Sequence, residues 1–252
     1  MMEHDNQTQE HQITNSRPGK VYLIPTVLHD DEKAMEALPA YILTAVKDCQ
    51  VFFAENEKTA RRFFKKLWKE MVIDNYAWHT IHKAENAVKS TFIKAVNEGK
   101  NIGIISEAGC PGIADPGQIL VGVAQQLNAV IVPLTGPSSI LLALMASGMN
   151  GQSFQFVGYL PIDETERKKG IRNLEEYSHQ KNCTQIFIET PYRNNQLLKT
   201  LLDTCRNETK ICIAVDITSS AENIKTKTVK EWKSRRVELH KKQVIFLLYA
   251  AQ

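Results

Sequence analysis

Twelve residues, Ser106-Glu107-Ala108-Gly109-Cys110-Pro111-Gly112-Ile113-Ala114-Asp115-Pro116-Gly117, follow directly on the β-branched run 102–105. Three glycines and two prolines in twelve positions exclude regular structure. A loop of small residues at the carboxyl end of a buried strand is where open parallel sheets bind ligands, because backbone N–H and C=O groups can approach closely where side chains are absent. The flanking pattern supports such a sheet. Short runs at 21–25, 51–54, 102–105 and 130–134 are each followed by a stretch of helical periodicity, and this βα repetition predicts a mostly parallel sheet. Pro39 stands at the mouth of a helix over 40–48, Gly99 stops one over 84–98, and another begins near Gln118 after Asp115-Pro116-Gly117.

Around 148–152 the chain passes through Gly, Asn and Gly, and the pattern changes. The second half predicts strand 154–159, helix 165–178, strand 184–189, helix 194–205, strands 210–217 and 225–229, a helix to about Leu239, and strand 243–250. Its greater Thr and Lys content and its alternation suit a mixed sheet with antiparallel members. The reading is a leader over 1–19 and two α/β domains, 20–149 with a mostly parallel sheet and 150–252 with a mixed one.

Composition narrows the function classes. The 252 residues include 31 Lys and Arg against 28 Asp and Glu, a formal charge of +3, so nucleic-acid binding is permitted but must rest on local patches. The longest apolar stretches, 140–145 and 244–251, fall short of the roughly 20 residues of a membrane-spanning helix, so no membrane partner is expected. Five scattered cysteines, odd in number and never in a CxxC pair, point to a reducing compartment. With no secretory pattern at the start, the expected location is cytoplasmic.

A second loop of the same kind, Thr135-Gly136-Pro137-Ser138-Ser139, lies between the 130–134 strand and an apolar helix. Here Ser138 or Ser139 either caps that helix or contacts a ligand. With this loop the sequence acquires a family likeness. S-E-A-G-C-P-G-I-A-D-P-G (106–117) resembles the S-D-A-G-T-P-x-I-x-D-P-G signature of the bacterial small-subunit rRNA cytidine 2′-O-methyltransferases, a group within the tetrapyrrole-methylase superfamily. V-Y-L-I-P-T (21–26), P-L-T-G-P-S-S-I-L-L-A-L-M-A-S-G (133–148), F-V-G-Y-L-P (156–161) and F-I-E-T-P-Y-R (187–193) follow that group's order and approximate spacing.

The resemblance implies S-adenosylmethionine as cofactor, with S-adenosylhomocysteine as product, no metal, and a cofactor site in the cleft between the two domains, commonly of a homodimer. It implies cofactor contacts from Pro25, Ser106, Glu107, Ala108, Gly109, Cys110, Pro111, Ile113, Ala114 and Asp115. Gly136, Pro137, Ser138, Ser139, Glu189 and Ala214 complete the set. The acceptor it implies is rRNA, with the small ribosomal subunit as partner. Departures cluster in the substrate-associated parts of the pattern. G-N-x-x-D-I becomes Val27-Leu28-His29-Asp30-Asp31-Glu32, and A-E-D-T-R-x-T becomes Ala54-Glu55-Asn56-Glu57-Lys58-Thr59-Ala60. A-R-E-L-T-K becomes Ala214-Val215-Asp216-Ile217-Thr218-Ser219, K-G-E becomes Lys241-Lys242-Gln243, and Glu107 replaces Asp.

Methyl transfer from a sulfonium needs alignment more than side-chain chemistry, though a hydroxyl acceptor benefits from a base. Candidates are Glu189, Glu55, His79 and His82, and spacing does not choose among them. Glu189 equally suits an ion pair with Arg193. For RNA, Arg61, Arg62, Lys65, Lys66 and Lys69 share one helix face opposite Phe63, Phe64, Leu67, Trp68 and Met71, either a solvated face or a phosphate-tracking one. Further cations cluster at 167–169, 233–236 and 241–242. The expected function is an S-adenosylmethionine-dependent methyltransferase acting on RNA. The alternatives are a small-molecule, tetrapyrrole-like methylase and a cofactor-binding protein that has lost catalysis.

Overall fold

The protein is described by a computed structural model over residues 19–81 and 85–250. Its first sheet is built from β1 (Lys20–Ile24), β2 (Val51–Ala54), β3 (Ala77–Thr80), β4 (Ile102–Ile105) and β5 (Val130–Pro133). The order is β3-β2-β4-β1-β5, and every pairing is parallel. A parallel sheet must be covered on both faces, and the alternation along its strands achieves this. Tyr22, Ile24, Phe52, Ala54 and Ile105 meet α1 (Ile42–Asp48) and α2 (Glu57–Leu67). Val21, Val51, Phe53, Ile102 and Ile104 meet α3 (Lys89–Asn97) and α4 (Gln118–Gln126). Gly103 leaves the room that Phe52 needs: a Cβ there would stand 2.7 Å from both the Phe52 ring and Ile24 Cδ1.

The second sheet contains β6 (Phe154–Tyr159), β7 (Thr184–Ile188), β8 (Lys210–Val215), β9 (Asn223–Thr228) and β10 (Val244–Tyr249), in the order β6-β7-β10-β8-β9. Only the β6/β7 pairing is parallel, so the sheet is mixed as its alternation predicted. One face packs on α6 (Glu164–Lys181), α7 (Asn194–Thr204) and α8 (Val229–Lys233) through Phe187, Ile213, Val215, Phe246 and Trp232. The other face, with Ile186, Cys212, Ala214 and Leu247, receives α5 (Ser139–Ser147) through Ile140, Ala143 and Leu144. Thus α5 precedes the expected boundary at 149/150 yet packs on the second sheet, and it joins the two halves.

Four details differ from the sequence reading. β3 went unread because Ala-Trp-His-Thr lacks a β-branched run and forms a four-residue edge strand. Residue 84, the expected start of α3, lies outside the described residues; the helix itself begins at Lys89, after a 3₁₀ turn over Glu85–Val88. The strand expected over 210–217 ends at Val215, where Asp216 takes a positive φ of 47°. The helix expected to run to Leu239 ends at Lys233, where the Ser234 hydroxyl donates to the Glu231 carbonyl. Among the described residues no helix is long and apolar enough to cross a membrane.

Candidate functional site

Because β1, β2, β4 and β5 are parallel, the loops that follow them emerge at one edge of the sheet. There the 106–117 loop is tied to β1: Thr26 N donates to Gly109 O at 2.9 Å, and Thr26 Oγ1 to Ser106 O at 3.4 Å. Gly109 has φ +73°, and a Cβ on it would meet Leu28 Cδ2 at 3.1 Å and Pro137 O at 3.2 Å, so only glycine fits this crossing without strain. The second loop is held as tightly, since a Cβ on Gly136 would fall 2.1 Å from Pro25 Cβ. Ala114 also takes a left-handed φ of 62°, an uncommon conformation for alanine.

The two loops form one wall of a cleft of about 290 Å3. Ala108, Gly109, Cys110, Ile113, Ala114 and Asp115 come from the first loop, and Ser138, Ser139 and Ile140 from the mouth of α5. The opposite wall belongs to the second sheet: Phe156 and Tyr159 of β6, residues 188–191 after β7, Ala214 and Ile217 at the end of β8, and residues 243–245 entering β10. Ser138 is the N-cap residue of α5 but makes no side-chain cap bond. Its hydroxyl is therefore not spent on the helix.

Other expected contacts sit elsewhere. Pro25, Gly136 and Pro137 build the loop crossing, where the Cys110 thiol approaches Pro137 O at 3.6 Å and Gly136 O at 3.9 Å. Pro111 is buried within its loop. Burial, then Asp115, push the Cys110 thiol up, which disfavours a nucleophilic thiolate. Ser106 and Glu107 line a second, smaller pocket of about 140 Å3, which shares Leu28 and Ala108 with the cleft. Thr26, Val27, His29, Asp30, Thr59, Ala60, Arg62, Phe63 and Lys66 complete it.

Carboxylates concentrate where the two cavities meet. Glu55 Oε2 accepts from Glu107 N at 2.9 Å, and Glu107 Oε1 accepts from the Thr59 hydroxyl at 3.1 Å, so the longer side chain at 107 turns toward α2. Burial, and after it Glu55 and Glu107, push Asp115 up to about 7. Glu189 is buried in the cleft wall and accepts from Thr190 N at 2.6 Å and from Arg193 Nε and Nη2 at 3.1 and 2.5 Å. It is thus held by an arginine, the alternative its spacing allowed. His79 lies on edge strand β3 against the Phe53 ring at 4.9 Å and lines neither cavity. His82 lies outside the described residues. No cluster of three His, Cys, Asp or Glu side chains suited to a metal ion occurs among the described residues.

His29 was not among the candidates. It lines the smaller pocket, and its buried Nδ1 has no hydrogen-bond partner. Nothing in its local sequence marks it, because the feature depends on Thr59 and Phe63 of α2 closing over the loop after β1.

Of the segments that depart from the family pattern, 27–32 and 54–60 contribute to the smaller pocket, and 214–219 and 241–243 to the cleft. Asn56, standing where that pattern has an acid, caps α2 by accepting from Lys58 N and Thr59 N at 3.1 and 3.3 Å. Asp31 accepts from Ser220 N at 3.0 Å and from Ser220 Oγ at 2.5 Å, linking the loop after β1 to the turn after β8. Within that turn Thr218 has φ 70° and a buried hydroxyl without a partner.

The cleft fits S-adenosylmethionine. Glycine-built backbone walls its floor, apolar side chains from Leu28, Ile113, Ile140 and Phe156 suit an adenosine, and Asp115 adds an acidic group to the lining. The fold has known counterparts. The crystal structure of the methyltransferase CobJ matches with a TM-score of 0.61 at 15% identity, over 93% of this chain and 94% of that one. Uroporphyrin-III C-methyl transferase from Thermus thermophilus, solved with S-adenyl homocysteine, matches with a TM-score of 0.55 at 14% identity, over 92% and 97%.

Relatives by sequence include the ribosomal RNA small subunit methyltransferase I of Vibrio cholerae serotype O1, 29% identical over 87% of this chain and 70% of that protein. The protein of the same name from Buchnera aphidicola subsp. Schizaphis graminum is 33% identical over 92% of this chain and 79% of its own length. The profile of the Tetrapyrrole (Corrin/Porphyrin) Methylases matches residues 34–233, and the chain belongs to that family.

Proposed function

We infer that this chain is an S-adenosylmethionine-dependent methyltransferase whose acceptor is a ribose hydroxyl of small-subunit rRNA. One observation carries the reading: the two glycine loops after β4 and β5 form one wall of the cleft, and the ends of β7, β8 and β10 form the other. The names of the relatives support small-subunit rRNA as the substrate, and the resemblance of the 106–117 and 133–148 segments supports the ribose hydroxyl. Bound in this cleft, S-adenosylmethionine supplies a methyl group on a sulfonium, ready for in-line displacement by a hydroxyl.

The backbone of 108–110 and the Ser138 and Ser139 hydroxyls hold the cofactor's polar groups, and Ile113 and Ile140 cover its apolar ones. The smaller pocket, joined to the cleft at Leu28 and Ala108, admits the acceptor. We assign the hydroxyl proton to His29, the imidazole that lines this pocket. We also assign a homodimer in the cytoplasm; Leu141 and Met145, exposed by 50% and 78% on the outer face of α5, support a covered surface.

The direct test is transfer of labelled methyl to small ribosomal subunits and to naked rRNA, with the modified nucleotide mapped by its resistance to alkaline cleavage. Label at a ribose of the small-subunit RNA is expected. Cofactor binding without transfer to either substrate would favour the second reading, a cofactor-binding protein without catalysis. The altered segments 27–32 and 54–60, which contribute to the smaller pocket, and 214–219, which contributes to the cleft, are its support.

A further inference from the structure

On α2, the phosphate-tracking face that the sequence offered has most of its cations engaged within the protein. Arg61 pairs with Glu57 and lies over the Trp78 ring at 5.2 Å. Arg62 and Lys66 reach Asp30 at 3.6 and 2.5 Å. Lys65 donates to the carbonyls of Lys69 and Met71 at 2.6 and 2.9 Å, and Lys69 itself lies beyond the end of the helix.

The second half of the chain presents the opposite arrangement. A groove of about 480 Å3 opens on the helix-bearing face of the mixed sheet, beside edge strand β9. Ile213, Val215 and Trp232 form its floor. Trp232 is fixed there by its Nε1, which donates to Ile211 O at 2.8 Å. Lys225 stands on one rim and Arg235 and Arg236 on the other. All three are exposed, and none lies within ion-pair distance of a carboxylate among the described residues.

Lys227 follows Lys225 on the same face of β9, because Ile224 and Thr226 turn the other way, Thr226 Oγ1 donating to Ser147 O of α5 at 2.7 Å. The nearby acids are held by hydrogen bonds rather than by direct ion pairs with these cations. Glu231 closes the capping box of α8 with Thr228, and Glu238 accepts from Asn195 Nδ2 at 2.5 Å and from His240 N at 2.8 Å. The groove also has a geometric relation to the cleft. Val215 lines the groove while Ala214 before it and Ile217 two residues after it line the cleft, so the two cavities lie on opposite faces at the same end of β8.

We propose that this groove, rimmed by Lys225, Arg235 and Arg236, binds the phosphodiester backbone of RNA and leads the strand around the β9 edge toward the cleft. The proposal rests on the RNA reading above. Cations that stand outside direct ion pairs release counterions when they meet phosphates, whereas paired cations such as those of α2 must first break an ion pair. Contacts of this kind carry no sequence preference, so they position a strand whose reactive nucleotide is chosen at the other site.

The test is a salt series of equilibrium binding with a fluorescently labelled single-stranded RNA of about 30 nucleotides. It compares the wild type with a Lys225→Ala, Arg235→Ala, Arg236→Ala variant. A second variant, Lys89→Ala, Lys168→Ala, Lys199→Ala, removes the same charge from other surfaces. S-adenosylhomocysteine binding by all three proteins reports folding independently.

At about 0.7 of a logarithmic unit per lost contact, the groove variant binds about 100-fold more weakly at 0.1 M salt, with a salt slope shallower by about 2. The second variant changes much less. Equal weakening of the two variants would overturn the groove and leave the RNA reading standing. Failure of the wild type to bind RNA at any salt concentration would overturn both.

Discussion

Asp115 offers the sharpest check on the electrostatics of the site. Burial, followed by the facing carboxylates of Glu55 and Glu107, pushes it from the ordinary aspartate value of 3.8 up to about 7. An acid whose folded-state value lies above its unfolded one contributes stability that is complete below the unfolded value and is lost as pH rises through the folded value. The protein without cofactor is therefore predicted to lose stability as pH rises from about 4 to about 8. Asp115→Asn keeps the shape of the side chain and removes the ionisation, so the difference between the two proteins isolates this one group.

Between about pH 5 and pH 8 the folded-state ionisation spans about two pH intervals, and at about 1.4 kcal/mol each this is at most about 3 kcal/mol. Partial solvent access at this side chain brings the expectation to about 2 kcal/mol. For a chain of this size that widens the Tm gap in favour of the variant by about 4–8 °C between the two pH values. Thermal unfolding of both proteins across the pH range measures it directly. A gap that stays constant with pH, or one that widens toward acid, would refute the clustering of the three carboxylates as described.

Two further substitutions test the roles given to the loops. Gly109→Val forces a β-branched residue to φ +73° against Leu28 and Pro137 O, a strain of about 2 kcal/mol, so cofactor affinity is expected to fall more than 100-fold while cooperative unfolding persists; calorimetric affinity near that of the wild type would move the cofactor elsewhere. His29→Gln is expected to lower kcat by about 10²–10³ with S-adenosylhomocysteine affinity unchanged; an unaltered kcat would remove His29 from proton transfer.

Much of this architecture was legible because local signals and tertiary demands agree. The run 102–105, followed at once by Gly109, Gly112 and Gly117, reads as a strand and a ligand loop for the same reason that it folds as one: the strand is buried on both faces and the backbone must turn through positive φ. The mixed character of the second sheet was visible in alternation such as Lys225-Thr226-Lys227. What stayed hidden depends on contacts distant in sequence. The basic side of α2 looked free until Asp30, 36 residues before Lys66, came to lie beside it.

His29 carries no motif, and its pocket exists only because residues of α2 come to lie beside the loop after β1. Arg167, counted among the surface cations at 167–169, is buried and donates to Thr200 Oγ1 and to the carbonyl of Ile162. β3 escaped notice because a short edge strand is defined by its neighbour, Phe53 aligning with His79, rather than by its own residues.

The central claim is that the cleft between the two sheets holds S-adenosylmethionine, and its most direct test is calorimetric titration of the wild type and Gly109→Val with S-adenosylmethionine and S-adenosylhomocysteine. The account predicts one site per chain with micromolar affinity, about −8 kcal/mol, for the wild type and no measurable heat for the variant. Absence of binding by the wild type, or equal binding by both proteins, would contradict it.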